Sequence, residues 1–214
     1  MTKQKIVVLG GSFNPPTIAH KKLLETAISC LNADKGIFVP SSNRYVSRKM
    51  SKQSAYNQVY SEADRYNMLT SLCRNTDKLS VNLTEYGDDG RGHTYDTLYK
   101  IQKAYPNADI IFIVGADKLR ILPKWHNHDN LFKEFHFAVA TRPDANKKDN
   151  TAALIQSIPK LKEFEHKFHL IPASETDVSD ISSSVARKYI ANKEWDKLTN
   201  ILTDDVIDII KKIG

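Results

Sequence analysis

At 214 residues, 41% hydrophobic and 26% charged, the chain has the length and balance of one soluble domain, and no stretch approaches the ~20 apolar residues that cross a bilayer. Basic residues exceed acidic ones by six, which suits an anionic partner; a small phosphorylated substrate meets that charge as well as nucleic acid does. The only two cysteines, Cys30 and Cys73, fall within helical patterns and read as buried thiols of a reducing cytoplasm, and MTKQ leads into a strand without a signal-peptide core.

In chain order, KIVVLG (residues 5–10) is the first buried strand. A helix over 18–31 follows, with Ile18, Leu23, Leu24, Ala27, Ile28 and Leu31 at helical spacing. GIFVP (36–40) gives a second strand. The polar, basic stretch 41–60, which opens SSNRYVSRKMSKQ, reads as a long loop; one of that length in a compact domain is usually functional or mobile. Next come a helix over 61–73, a strand LSVNL (79–83), a helix over 94–104 and a strand DIIFIVG (109–115). A helix over 116–122, the strand FHFAVA (135–140), a helix over 151–157 and the strand KFHLIP (167–172) continue the alternation. Two helices over 182–192 and 203–212 close it. Strands rich in β-branched residues and without a polar face, alternating with amphipathic helices, define an α/β fold. The expected architecture is a single domain on a Rossmann-like, doubly wound parallel sheet, with C-terminal helices. Ligands of such a sheet lie beyond the carboxyl ends of its strands where strand order reverses, and the first strand commonly flanks that point.

The junction after the first strand is GGSFNPPTIAH (10–20). Gly10 and Gly11 lack Cβ atoms and let backbone N–H groups approach a ligand, while Pro15 and Pro16 stiffen the turn. The helix that follows offers unsatisfied N–H groups and a positive dipole end, an anion site. Thr17 and His20, three apart, share a face there; an N-capping threonine beside a core histidine is the plainer alternative. DISSSVARKYI (180–190) sets Ser182, Ser183 and Ser184 at a helix start with Arg187 one turn in. Serines cap helices and an exposed arginine is ordinary, yet hydroxyls, free N–H groups and a guanidinium also make a phosphate cradle. Asp117, just past Gly115, places a carboxylate at the sheet edge where ribose hydroxyls can donate to it; it equally suits a helix's first turn. Trp125 reads as a buried anchor or a stacking platform. WHNHD (125–129) and HKFH (166–169) hold no closed zinc ligand set and have no cysteine nearby. They read as solvated or capping histidines, and no metal ligand is assigned.

Together these stretches resemble the nucleotidylyltransferase superfamily, and within it the nicotinate/nicotinamide mononucleotide adenylyltransferases, over almost the whole chain. GGSFNPPTIAH is similar to the family's G-[ST]-F-[DN]-P-x-[HT]-x-x-H signature and HTYDTL (93–98) to its T-x-[DE]-T-L segment. GADKLRILPKW (115–125) is similar to its G-A-D…W segment, and ISSSVAR (181–187) to I-S-S-T-x-x-R. The resemblance implies one nucleotidylyltransferase domain over 1–214, in a cytoplasmic enzyme of NAD biosynthesis. It would transfer an adenylyl group from ATP, with Mg2+, to nicotinic acid or nicotinamide mononucleotide. Attack on the α-phosphorus would be in line, without a covalent enzyme intermediate. By position, His20 would contact ATP phosphate and stabilise the transition state beside Thr17, while Ser183, Ser184 and Arg187 would hold the outer phosphates. Gly11, Ser12 and Phe13 would offer backbone contacts near the reacting phosphates, and Asp117, after Gly115, would take the adenosine ribose. Trp125 would stack on the pyridine ring, with Thr94, Thr97 and Asn14 on the mononucleotide side.

The chain departs from the commonest bacterial pattern at several positions. Thr17 stands for the first histidine of H-x-G-H, Ala19 for its glycine, Asn14 for an aspartate, His93 for a tyrosine and Ser184 for a threonine. No P-P-H-K loop follows Pro40; the basic stretch replaces it, and Arg48, Lys49 or Lys52 would reach a phosphate there or lie solvated. Phosphopantetheine adenylyltransferases share T-x-x-H and I-S-S-S but are shorter, and cytidylyltransferases fit less well. A non-catalytic nucleotide- or RNA-binding protein would need stacking aromatics among the basic residues, where this stretch offers Tyr45, Tyr56 and Tyr60. Neither a nucleic-acid nor a membrane partner is expected, and a homo-oligomer remains open.

Overall fold

The computed structural model describes residues 3–53, 55–87, 91–141, 150–172 and 181–213. The strands are β1 (Gln4–Gly11), β2 (Lys35–Pro40), β3 (Leu79–Val81), β4 (Ala108–Gly115), β5 (His136–Ala140) and β6 (Phe168–Ile171). Helices α1 (Ile18–Leu31), α2 (Asn43–Met50), α3 (Glu62–Leu72), α4 (Thr94–Ala104) and α5 (His128–Glu134) come from the first two thirds of the chain. They are followed by α6 (Thr151–Ser157), α7 (Pro159–Glu163), α8 (Ser183–Ala191) and α9 (Asp204–Ile213). The six strands lie in the order β3-β2-β1-β4-β5-β6, and the pairs β1–β4, β4–β5 and β5–β6 are parallel. The chain winds outward from β1 to β3, then returns to place β4 on the other side of β1. This is the doubly wound, Rossmann-like arrangement expected from the sequence.

Two compact units are distinguished. One comprises Met1–Leu9, Leu23–Gly36 and His93–Asp177, the other Gly10–Lys22, Ile37–Gly92 and Val178–Gly214. The division falls inside β1, α1 and β2, so single continuous elements run from one unit into the other.

In the first unit, Ile6, Val7 and Val8 of β1 and Phe137, Ala138 and Val139 of β5 are fully buried, and β4 is buried over nearly its whole length. Strands covered on both faces need no polar side, which is why they read as unbroken apolar runs. Phe132 of α5 gathers an aromatic cluster with Phe137, Phe164 and Phe168 at centroid separations of 5.6–6.1 Å. Phe132 and Phe137, fully buried, each contribute about 1.5–3 kcal/mol by removal from water. In the second unit, Ile37, Phe38 and Val39 are buried. Met68, Leu69 and Leu72 of α3 pack in the α3–α9 layer with Val206, Ile207 and Ile210.

Three sequence expectations change. The stretch 41–60 is not wholly a loop, since residues 43–50 form α2. Ser42 caps it by accepting from the Tyr45 N–H at 3.4 Å, and Val46 and Met50, four apart, are its buried face. A helix with only two apolar contacts has too weak a period to stand out. Residues 116–122 are not one helix either. They hold 3₁₀ turns at Ala116–Lys118 and Leu122–Lys124, the second carrying Pro123, although Leu119 and Leu122 are buried as the helical spacing expected. Finally, Cys30 is exposed and Cys73 half-buried, so neither thiol is sealed in a core. Among the described residues no helix is long and apolar enough to cross a membrane.

Gly36 in β2 lies flat against α1. A Cβ there would meet Leu24 Cγ and Ile28 Cδ1 at 2.8 Å each. Gly36→Ala should therefore lower unfolding free energy by about 1–3 kcal/mol, read as a shifted midpoint at unchanged slope in urea titrations.

Candidate active site

In the second unit the chain leaves β1 at Gly11 and enters α1 at Ile18 through a turn that cannot continue the strand, because Pro15 and Pro16 lack N–H donors. Strand geometry persists through Gly10 and Gly11, so the turn is shorter than the sequence predicted. Gly11 is open for a reason other than ligand approach: a Cβ there would sit 3.1–3.3 Å from the Phe13 ring. Phe13 has a left-handed backbone, φ 43°, that folds its ring back over Gly11. The same ring meets Phe38 edge-on at 5.5 Å and His20 at 5.1 Å.

His20 is held in one chemical form. Its Nδ1 accepts from the Thr17 backbone N–H at 3.0 Å and lies 2.7 Å from the Thr17 hydroxyl. A backbone amide can only donate, so Nδ1 carries no proton and the neutral ring bears its hydrogen on Nε2. Burial, and then the positive charge of Lys49, pull the imidazole pKa from 6.5 down to about 4. Lys49, in the last turn of α2, also donates to Ser12 Oγ at 3.2 Å. At neutral pH this end of β1 thus presents an Nε2–H donor beside an ammonium group. The expected free N–H groups at the start of α1 are partly used. Ile18 N–H donates to the Ile201 carbonyl at 2.9 Å, Thr17 N–H to His20, and His20 N–H to the Thr17 carbonyl.

Asn14 and Arg187 are buried, at 1% and 4% exposure. Asn14 donates through Nδ2 to the Gln58 carbonyl at 2.7 Å and accepts at Oδ1 from Tyr60 N–H at 2.9 Å, fixing the segment after α2. Arg187 reaches the Tyr56 carbonyl through Nε and the Asn14 carbonyl through Nη1. Its Nη2 goes to the side-chain oxygens of Gln53 and Ser184. It is therefore a buried clamp, not the exposed arginine of the plainer sequence reading. Of the three serines, Ser182 caps α8, Ser183 donates to the Pro15 carbonyl at 2.8 Å, and Ser184 accepts from Arg187. The sequence reading missed Arg65, which is completely buried. It donates from Nη1 to the Ser12 carbonyl and from Nη2 to Asn43 Oδ1, under the Tyr86 ring at 5.4 Å. Its signal was available, since Arg65 lies on the stripe of Met68, Leu69 and Leu72 at helical spacing.

In the first unit, β4 ends at Gly115 and the 3₁₀ turn sets Asp117 at the strand's carboxyl end. A Cβ on Gly115 would meet Asp117 Oδ1, so a larger residue there would push that carboxylate aside. Asp117 is exposed and paired with Lys118 at 2.8 Å. Thr94 opens α4, and Thr97 is buried with its hydroxyl donating to the His93 carbonyl at 3.2 Å. Trp125 is half-buried, propped by the edge of Phe112 at 6.3 Å. Of its two sequence readings, the structure keeps both in part: an anchored indole with an accessible remainder.

Known proteins share this chain's sequence pattern and fold. The cytidylyltransferase-like family model matches residues 8–189, and the chain belongs to that family. A probable nicotinate-nucleotide adenylyltransferase of Listeria welshimeri is 33% identical over 141 residues, 66% of this chain and 71% of that protein. One of Clostridium tetani is 29% identical over 212 residues, 99% and 98% of the two chains. Within the family, this chain takes its place among the nicotinate-nucleotide adenylyltransferases. In fold it is similar to the Plasmodium falciparum nicotinic acid mononucleotide adenylyltransferase complexed with NaAD, with a TM-score of 0.65, 24% identity and coverage of 98% and 96%.

The imidazole of His20 takes a proton more readily in the unfolded chain, at 6.5, than in the folded one, at about 4. Its contribution to stability is complete above about pH 6.5 and is lost as pH falls toward 4. His136, also lowered to about 4 by burial first, acts in the same direction. In His20→Asn, where an amide oxygen can replace Nδ1 as acceptor, the fall in melting temperature between pH 6.5 and 4 should be shallower than in the parent protein.

Proposed function

We propose that the protein is a cytoplasmic enzyme of NAD biosynthesis that transfers the adenylyl group of MgATP to nicotinic acid mononucleotide. The mononucleotide phosphate oxygen forms a bond to the α-phosphorus while the α–β bridging bond breaks. The products are nicotinic acid adenine dinucleotide and pyrophosphate, whose charge is shared among its oxygens and Mg2+. The observation that carries this reading is His20, locked by Thr17 as a neutral Nε2–H donor beside Lys49 at the end of β1. A donor fixed before the reaction needs no reorganisation as charge develops on the phosphate oxygens, and that is the economical form of electrostatic catalysis.

The other assignments follow from the donors available. Lys49 and Ser12, with the backbone of Gly11 and Phe13, take phosphate oxygens. Ser183, Ser184 and the start of α8 take the outer phosphates. Arg187 Nη2, which leans on the Gln53 and Ser184 side chains, is the donor that can exchange to phosphate; its Nε and Nη1 stay on backbone carbonyls and keep the turn in shape. Asn14 shapes the mononucleotide side through residues 58–60. Asp117 beside Gly115 accepts from ribose hydroxyls, Trp125 stacks on the pyridine ring, and Thr94 and Thr97 border it. Mg2+ enters as part of the substrate, held mainly by phosphate and water, and the hydroxyl and cationic donors of the cradle are consistent with that.

Pyrophosphate release with MgATP and matched nicotinic acid mononucleotide, nicotinamide mononucleotide and phosphopantetheine tests the reading. Fastest turnover with the acid is expected; turnover with phosphopantetheine alone, or with none of the three, overturns it. His20→Ala should lower kcat by roughly 10²–10⁴ while circular dichroism and melting remain those of a folded chain. Turnover near the parent rate would remove His20 from the mechanism.

A further inference from the structure

One cluster of ligating side chains lies outside the machinery assigned above. His93, Asp96 and His126, all in the first unit, bring one imidazole nitrogen each and a carboxylate oxygen within 4.8 Å of one another. The sequence grouped His126 with His128 and found no ligand set. In the fold, His128 turns to Asp129 at 3.7 Å, while His126 meets residues from the start of α4. We infer that His93, Asp96 and His126 form a binding site for a borderline first-row divalent cation such as Zn2+.

His93 Nδ1 lies 3.5 Å from Asp96 Oδ2, and His126 Nε2 lies 4.0 Å from Asp96 Oδ1. Both exceed the ~2.7–3.2 Å of a hydrogen bond, so the carboxylate is not satisfied by either ring. A tetrahedral ion with bonds of ~2.0–2.1 Å separates neighbouring N and O ligands by ~3.4 Å, so the first gap already fits and the second closes by a small rotation of an exposed side chain. The two rings stack at 4.1 Å with a 27° tilt, and one nitrogen of each lies within 4.0 Å of the Asp96 carboxylate.

The backbone supports the same arrangement. His93 occupies the N-cap of α4, where a side chain would ordinarily accept from the first turn, yet it makes no capping hydrogen bond and faces Asp96 instead. Asp96 is three residues on, on the same helical face. Two imidazoles and one carboxylate select Zn2+, Co2+ or Ni2+ over Mg2+ or Ca2+, which prefer oxygen. Side-chain exposures of 31%, 53% and 52% leave a path for the ion, and three protein ligands leave a fourth position for water. A bound ion would tie the residue after Trp125 to the first turn of α4. The site does not depend on the proposed reaction.

The test is metal binding by untagged, chelator-stripped full-length protein at about pH 7.5. Calorimetric titration with Zn2+ should saturate at one ion per chain, and Co2+ should give visible ligand-field bands that Zn2+ abolishes. His126→Ala and Asp96→Asn should each weaken binding by roughly a hundredfold. His169→Ala, in the half-buried His136–His169 pair, should leave it unchanged. Failure of the parent protein to take up Zn2+ would overturn the proposal, as would undiminished affinity in His93→Ala/His126→Ala, or loss of binding in His169→Ala.

Discussion

Two buried guanidinium groups hold the turn between β1 and α1. Residues 12–17 belong to neither strand nor helix, so their carbonyls have no ladder to join, and a buried carbonyl without a partner costs about 1–3 kcal/mol. Arg65 supplies a donor to Ser12 and Arg187 a donor to Asn14, one from α3 and one from α8. Ser183 adds a third bond, to Pro15. Burial lowers the proton affinity of both arginines, but guanidinium stays charged in proteins. The turn is therefore shaped by cations whose hydrogen bonds go to carbonyl, amide and hydroxyl oxygens.

That constraint reaches His20 through packing. The turn brings Phe13 into its left-handed conformation, Phe13 lies over Gly11, and its ring edge supports the imidazole that Thr17 orients. Gly11 matters here because it makes room for a ring. Lys49 completes the arrangement from α2, so the helix that replaces the expected loop is part of the cradle.

Much of the fold was legible because it rests on burial. Strands β1, β2, β4 and β5 are apolar runs with both faces covered, and α1, α3, α4 and α8 carry a full apolar stripe or a clear serine cap. What was illegible depends on contacts distant in sequence. Nothing local marks Arg187 as buried, since its acceptors come from residues 14, 53 and 56. The two anchoring residues of α2 give too little periodicity, and Pro123 hides the 3₁₀ turns behind a helical spacing of leucines. Among candidate site residues, Thr17 and His20 were readable as a pair because they are one turn apart. His93 and His126 were not, because only the fold joins them.

The interleaving of the two compact units bears on how the protein is made. The first unit holds its last segment at residue 177, whereas the second still lacks α8 and α9 at that point of synthesis. Domains fold as their residues emerge from the ribosome. The unit carrying His20 thus waits for α8, which delivers Arg187 to a turn made long before it. A nascent chain halted near residue 177 would carry His20 and Thr17 but lack the guanidinium that shapes their surroundings.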